Sequence, residues 1–185
     1  MNWESHRAKQ EPDKILVFAF DFQKRKQLPY LATNEVYYKR QHAVYNCSNH
    51  DCGSEKGYFR MWTEATASRG PAEISSCIWH WLNSFKHLPK EFVAFSDSCG
   101  GQNRNIIIAL FCMFVIQERN IECIDHIILV SGHSFMSCDE NFGVDEREKR
   151  KHEQVYTLSK WIAKRARNYK KMGCPRNVKW IVSGI

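Results

Sequence analysis

Two stretches of sequence decide the fold of this chain: ILVFAFDF at residues 15–22 and EFVAFSDSCGGQNRN at residues 91–105. Each begins as a continuous apolar run that favours β structure, which is typical of a buried strand in a parallel sheet. Each run also delivers one acid near its carboxyl end, Asp21 in the first and Asp97 in the second. If the two strands are neighbours, these carboxylates meet where α/β sheets bind ligands, and their mutual repulsion calls for a cation between them.

The remaining elements follow from the spacing of apolar and turn residues. Alternation at 35–47 and 56–66 predicts a hairpin whose turn is the segment SNHDCGSE (48–55). Apolar residues at helical spacing after Gly70 and Pro71 predict a helix, and further strands are expected at 91–97 and 123–132. A long apolar helix is expected between these two strands, and a charged helical region follows them to about residue 169.

This order of three strands followed by two crossovers predicts an α/β fold with a mixed five-stranded sheet and helices on both faces. The order matches the ribonuclease-H-like fold, in which the first and fourth strands are parallel neighbours. We expect residues 1–13 to form a flexible N-terminal segment and residues 14–185 to form this one domain. The last residues, VKWIVSGI, predict another strand, and the domain is expected to be truncated there.

Composition excludes several classes of protein. The 185 residues are 43% apolar, which argues against a disordered chain. The longest apolar stretch, IIIALFCMFVI (106–116), is too short to cross a bilayer and predicts a buried helix, so no membrane association is expected. The N-terminus lacks the apolar region of a signal peptide, which predicts an intracellular protein that is not secreted.

The two strand-end acids need a third partner to form a metal site. Asp139 follows the last predicted strand, and Glu146 lies about two turns further on, so both are candidates for the third acid. Asp139 is also well suited to cap the helix that begins there. Clustered carboxylates supply the hard oxygen ligands that Mg²⁺ or Mn²⁺ prefers, and two such ions support phosphodiester chemistry. We therefore expect Asp21, Asp97 and Asp139 to be metal ligands and catalytic residues.

The segment SCGGQNRN (98–105) joins the fourth strand to the apolar helix. Its glycines, its free backbone N–H groups and the helix dipole predict a phosphate-binding loop, although ordinary helix capping is the alternative. Gln102, Asn103 and Arg104 are then candidate contacts to nucleic acid. The segment lacks the Lys-Ser/Thr pair of a Walker motif, which argues against a nucleotide triphosphatase.

A net charge of +7 favours a polyanionic partner, DNA first. The basic residues expected to contact the DNA backbone are Lys149, Arg150, Lys164, Arg165 and Arg167. His133 is predicted to lie beside the metal site as a proton shuttle or phosphate contact. Gly-His-Ser at 132–134 also allows a minor alternative, a serine hydrolase using Ser134, although Met136 stands where a nucleophile elbow needs glycine.

Several motifs together resemble a family of uncharacterised eukaryotic proteins that look like transposase-derived, ribonuclease-H-like domains. They are FDFQ, YYKRQ…VYN, SRG, SDSCGGQNRN and GHSF…D…FG, and the resemblance covers about residues 15–182. It implies a DNA-directed nuclease or transposase domain with Asp21, Asp97 and Asp139 as its acidic triad, and a location in the nucleus. The alternative is a catalytically silent module that binds DNA or protein. The sequence leaves the oligomeric state open, a homo-oligomer included.

Overall fold

The computed structural model describes residues 2–31, 40–130, 136–149, 154–163 and 179–182. Its helices are α1 (Asn2–Gln10), α2 (Pro71–Leu82), α3 (Ile106–Arg119), α4 (Ser137–Lys149) and a helical stretch at 158–163, α5. Its strands are β1 (Ile15–Phe22), β2 (Lys26–Leu28), β3 (Tyr30–Leu31), β4 (His42–Asp51), β5 (Lys56–Thr63), β6 (Glu91–Ser96), β7 (Cys123–Ile128), β8 (Gln154–Val155) and β9 (Lys179–Val182).

These elements form a mixed α/β architecture around one open sheet. Six strands lie in the order β7-β6-β1-β4-β5-β9, and β2 pairs with β4 beside that path. The pairs β1–β6, β6–β7 and β5–β9 are parallel, whereas β4 is antiparallel to both β1 and β5. The prediction that the strands carrying Asp21 and Asp97 are parallel neighbours is therefore confirmed. The sheet has more than the five strands predicted for its core, because β2 pairs with β4 and because β9, within the strand predicted at VKWIVSGI, pairs with β5.

Successive side chains of the central strands point to opposite faces of the sheet, and each face carries its own apolar core. On β1, Leu16, Phe18 and Phe20 face one core, which α2 and α3 cover with Ile78, Trp81, Ile108 and Val115 among other side chains. Ile15, Val17 and Ala19 face the other core, which contains Ala8 of α1 and Cys138 and Phe142 of α4. Helices thus cover both faces of the sheet, as predicted, and Asp21 falls in phase with the second set.

The structure differs from expectation at three places. Residues 2–10 form a helix rather than a flexible segment, and its Arg7 makes an ion pair with Glu91 at 2.7 Å. Strand β4 continues through residues 48–51, which were expected to turn, because they pair with β1 on one side and β5 on the other. The helix at 106–119 is exposed along its outer side rather than buried all round. No helix among the described residues is long and apolar enough to cross a membrane.

Candidate functional site

Asp21 lies one residue before the end of β1, opposite Ser48 of β4. Its Oδ1 accepts a hydrogen bond from the Phe22 N–H at 2.7 Å. Burial, together with the negative charges of Asp97 and Asp139, raises the pKa of Asp21 from 3.8 to about 7. The Phe22 N–H and the positive charge of Arg69 act in the opposite direction. The charges of both other predicted ligands therefore act on the carboxyl of Asp21.

Asp97 directly follows β6, and alternation places it on the same face of the sheet as Asp21. Val93 and Phe95 of β6 face the core beneath α4, so the next residue in phase is Asp97. Its Oδ1 accepts hydrogen bonds from the Cys99 N–H at 3.1 Å and from Asn103 Nδ2 at 2.5 Å. The loop that follows the strand therefore holds this carboxylate in a fixed orientation.

Asp139 is the third residue of α4, on the face of the sheet that carries the other two acids. Its Oδ2 accepts a hydrogen bond from the Met136 N–H at 2.9 Å, and the Met136 carbonyl accepts one from the Asp139 N–H at 2.8 Å. This is one half of a capping box, and Asp139 lies in the first turn of α4 rather than at the N-cap position expected from the sequence. The neighbouring Cys138 is fully buried against the carbonyl of Ala19 on β1, which fixes the start of α4 beside Asp21.

The three aspartates share one pattern of hydrogen bonding. In each aspartate, one carboxylate oxygen accepts hydrogen bonds from backbone or side-chain amide N–H groups. The second oxygen accepts no hydrogen bond within the described residues. These oxygens have the chemistry that a hard divalent cation requires. In the described ranges, however, no three His, Cys, Asp or Glu side chains lie close enough together to hold a metal ion. The acids are thus electrostatic neighbours that are not gathered into a ready-made set of ligands.

Glu146, the other candidate for the third acid, has a different set of contacts. Its Oε1 makes an ion pair with Lys26 at 3.0 Å and accepts a hydrogen bond from Gln23 Nε2 at 3.2 Å. Lys26 is only 4% exposed, and its ammonium group lies 4.9 Å from the ring of Trp161. Removing Glu146 would leave that ammonium group buried beside fewer negative charges. These contacts favour Asp139 over Glu146 as the third acid of the site.

The loop after Asp97 does not offer the free amides that its sequence predicts. The backbone N–H groups of Gln102, Asn103 and Arg104 all donate to the carbonyl of Cys99, at 3.1, 2.8 and 3.0 Å. Asn105 caps α3 by accepting a hydrogen bond from the Ile107 N–H at 2.9 Å. The expected phosphate cradle is therefore wrong for these three amides, because the loop closes on its own carbonyl.

The three polar side chains of this loop differ in exposure. Arg104 is exposed and Gln102 is half-buried, so both remain candidate contacts to nucleic acid. Asn103 is only 1% exposed and donates to Asp97, which leaves it no surface for DNA. Its predicted role as a direct DNA contact is therefore corrected. The asparagine orients the acid instead.

Two further contacts near the ends of β1 and β6 were not predicted from the sequence. The Arg69 guanidinium lies 5.2 Å from the ring of Phe22 and lowers the pKa of Asp21, yet makes no ion pair within the described residues. On the opposite face of the sheet from the acids, Ser96 Oγ lies 2.8 Å from His126 Nε2. His126 lies beside Phe20, and burial lowers its pKa. The SRG motif contains Arg69, but only the fold brings this residue to Asp21.

Several predicted residues lie outside the part of the chain that the structure describes. They are His133, Ser134, Arg150, Lys164, Arg165 and Arg167. Lys149 is the last residue of α4, and only its backbone is described. Their expected roles, including the minor serine hydrolase alternative, stay predictions.

Comparison with known proteins does not assign this chain to a family. No family model matches the chain. A search of curated proteins gave no match either. The function is therefore argued from the site alone.

Proposed function

We propose that this chain is a ribonuclease-H-like domain that carries out metal-dependent phosphodiester chemistry on DNA, as a nuclease or transposase catalytic domain. The observation that carries the proposal is the rise in the pKa of Asp21 to about 7, caused by burial, Asp97 and Asp139. A fold gains no stability from burying a carboxyl whose charged form is also disfavoured by two further acids. A divalent cation would convert that repulsion into attraction.

The sheet order supports the proposed fold family. Strands β7, β6, β1, β4 and β5 follow the order and directions expected of a ribonuclease-H-like sheet, with the acids at the ends of the two central parallel strands. Ligands bind at that edge of α/β sheets. The added strand β9 lies at the far edge, beyond β5, and leaves the acidic end of β1 and β6 unchanged.

The residues of the site have separate tasks in the proposed mechanism. Asp21, Asp97 and Asp139 would hold Mg²⁺ or Mn²⁺, which supplies the Lewis-acid chemistry of phosphodiester transfer. Asn103 and the Cys99 N–H keep Asp97 oriented. The exposed Arg104, close in sequence to Asp97, is placed to contact a phosphate of the DNA. A domain that acts on DNA would work in the nucleus.

A second candidate function has one observation in its favour. Because the described residues contain no closed set of metal ligands, the acids also fit a catalytically silent module that binds DNA through its positive charge. Such a module would bind DNA equally well with and without a divalent cation. The catalytic domain would cleave DNA only when the cation is present.

Cleavage of supercoiled plasmid in Mg²⁺ or Mn²⁺ tests the proposal. Asp97→Asn keeps the size of the side chain but removes its charge, so we expect the rate to fall roughly 100-fold or more. Asp125→Asn is the matched control, because Asp125 is an exposed acid on β7 away from the triad. Equal cleavage by wild type and Asp97→Asn, or none by wild type, would overturn the catalytic function in favour of the silent module.

A further inference from the structure

Helix α3 presents a stripe of large apolar side chains to solvent. The members of this α3 stripe are between 43% and 70% exposed. They are Ile106, Ile107, Leu110, Met113 and Phe114. The other side of the helix packs on the sheet through Ile108 and Val115, which are each 1% exposed. Single exposed apolar side chains are ordinary, whereas five that adjoin one another at helical spacing indicate a binding surface.

The α3 stripe lies in a stretch of chain that carries no charge. Residues 105–117 contain no Asp, Glu, Lys or Arg, although these residues make up 25% of the whole chain. A surface without basic groups does not fit DNA, because contacts to phosphates dominate the affinity for DNA. It does not fit a lipid surface either, because helices that lie on membranes carry Lys and Arg beside their apolar face. The chemistry of the stripe therefore fits another apolar protein surface.

The spacing of the α3 stripe is symmetric about Leu110. Ile106 and Ile107 precede this residue by four and three positions, and Met113 and Phe114 follow it by three and four. In an antiparallel pair of helices, a two-fold axis at Leu110 places Ile106 of one copy beside Phe114 of the other. The same axis places Ile107 beside Met113. Two-fold symmetric dimers need a patch that is complementary to itself in this way, so the spacing favours a second copy of this chain.

The charges at the two ends of the α3 stripe also favour an antiparallel pair. Arg104 precedes the helix, Glu118 lies in its last turn, and both are exposed. Antiparallel helices bring Arg104 of each copy to the same end as Glu118 of the other, whereas parallel helices would bring like charges together. Arg119 lies to one side of this contact, with its guanidinium 4.8 Å from the ring of Trp79 on α2. Because a guanidinium has five N–H donors, Arg104 can bind Glu118 and still contact a phosphate.

The area of the α3 stripe sets the strength of this association. Five large side chains that are each near half exposed present on the order of 500 Å² of apolar surface. Two copies would bury about 1,000 Å², which is the lower limit for a specific interface. We propose that the α3 stripe is the contact surface of a symmetric homodimer, in which two antiparallel α3 helices pack on each other around Leu110. The dimer is weak, with a dissociation constant between about 1 and 100 µM, and it does not depend on the proposed cation chemistry.

Sedimentation equilibrium of the 185-residue chain tests the proposal, and the mean mass should rise from one chain toward two across this range of concentrations. Leu110→Glu brings two like charges together at the axis, so the dimer should weaken by roughly 100-fold or more. Trp3→Glu is the matched control and should dimerise like wild type, because Trp3 is 71% exposed on α1, on the other face of the sheet. A mixture of Leu110→Glu and Leu110→Lys pairs opposite charges at the axis. It should dimerise roughly tenfold more tightly than either variant alone.

The unfolding temperature of dilute protein, followed by tryptophan fluorescence, separates loss of the dimer from loss of the fold. Below the dissociation constant the chain is monomeric, so Leu110→Glu should unfold at the wild-type temperature. A clear fall would overturn the proposal and assign the α3 stripe to contacts within one chain. A wild type that stays a single chain throughout the range would overturn it in favour of a different partner protein. Equal weakening by Trp3→Glu, or a mixture no tighter than its components, would overturn the contact around Leu110.

Discussion

At the residue scale, the environment of Asp21 makes the stability of the fold depend on pH. Burial and two acidic neighbours raise its pKa to about 7, whereas the unfolded chain returns it to about 3.8. Between about pH 4 and pH 7, Asp21 is therefore ionised in the unfolded chain but still protonated in the folded chain. Between these two values, each rise in pH favours the unfolded chain.

We expect the free energy of unfolding, measured in EDTA, to fall as the pH rises from about 4 to about 7 and to level off above. The pKa shift of Asp21 corresponds to a total loss of unfolding free energy on the order of 4 kcal/mol over this pH range. Asp21→Asn should remove that dependence and be more stable than wild type at about pH 8. Urea unfolding at several pH values measures both effects.

Asp125→Asn serves as the control for this experiment, because Asp125 is exposed on β7. It should show the same fall in stability with pH as the wild type. A fall that persists in Asp21→Asn would mean that other groups cause the dependence.

The sequence indicates the acids of the site but not the residues that orient them. Asp21 and Asp97 stand out because a charge at the end of an apolar strand is unusual. Asn103 and Arg69 do not stand out, because polar residues are ordinary in loops. Only the loop that closes on Cys99 brings Asn103 back to Asp97, and only the fold brings Arg69 to Asp21. Contacts of this kind depend on backbone geometry that residue spacing does not encode.

At the scale of single elements, helix α3 is apolar on all sides but packs on only one. Ile108 and Val115 are each 1% exposed in the core beneath it. On the opposite side, apolar residues form a continuous exposed stripe, consisting of Ile106, Ile107, Leu110, Met113 and Phe114. Apolar content predicted the helix correctly, but no amphipathic pattern was present to show which side would be exposed.

The two sides of α3 should respond differently to truncation. Ile108→Ala should lower the free energy of unfolding by about 2–4 kcal/mol, because it opens a cavity in a packed core. Leu110→Ala should change it by no more than about 0.5 kcal/mol, because this side chain is 56% exposed. Denaturant unfolding of the two variants measures the contrast. Equal losses would mean that the outer stripe is covered by another part of the molecule.

The loop at residues 98–105, between β6 and α3, offers a second test at this scale. A Cβ atom added at Gly101 would meet nothing within 4 Å, and its backbone does not lie in the left-handed region. Gly101→Ala should therefore leave stability unchanged or raise it by about 0.4–1 kcal/mol, because it restricts the unfolded chain. If DNA approaches this loop, the same variant should bind an oligonucleotide more weakly. Unchanged binding in a fluorescence anisotropy titration would place the DNA elsewhere.

Long-range pairing explains which elements the sequence predicts well. Strands β1 and β6 are apolar throughout, so their place at the centre of the sheet follows from composition. The end of β4 is rich in turn residues, yet Ser48 and Asn49 form a strand because both neighbouring strands pair with them. Helix α1 has little apolar surface, and Ala8 and the Arg7–Glu91 ion pair attach it to the sheet. Local patterns cannot show pairings of this kind.

At the scale of the whole molecule, a net charge of +7 should govern association with DNA. Five phosphate contacts from the predicted basic residues would give a slope of about −4.5 in a plot of log affinity against log salt. Replacing Lys164, Arg165 and Arg167 with alanine should flatten that slope by roughly 3. Filter binding at several salt concentrations measures it, and an unchanged slope would assign the contacts to other residues.

The raised pKa of Asp21 also means that the molecule would exchange a proton for a cation. Near pH 6 the folded chain holds a proton on this carboxyl, and an incoming ion must displace it. Apparent affinity for the ion should therefore climb about tenfold per pH unit below 7 and level off above it. In calorimetry, the heat of binding would vary with the ionisation enthalpy of the buffer at pH 6 and not at pH 9, so the acidic site would act as a sensor of pH.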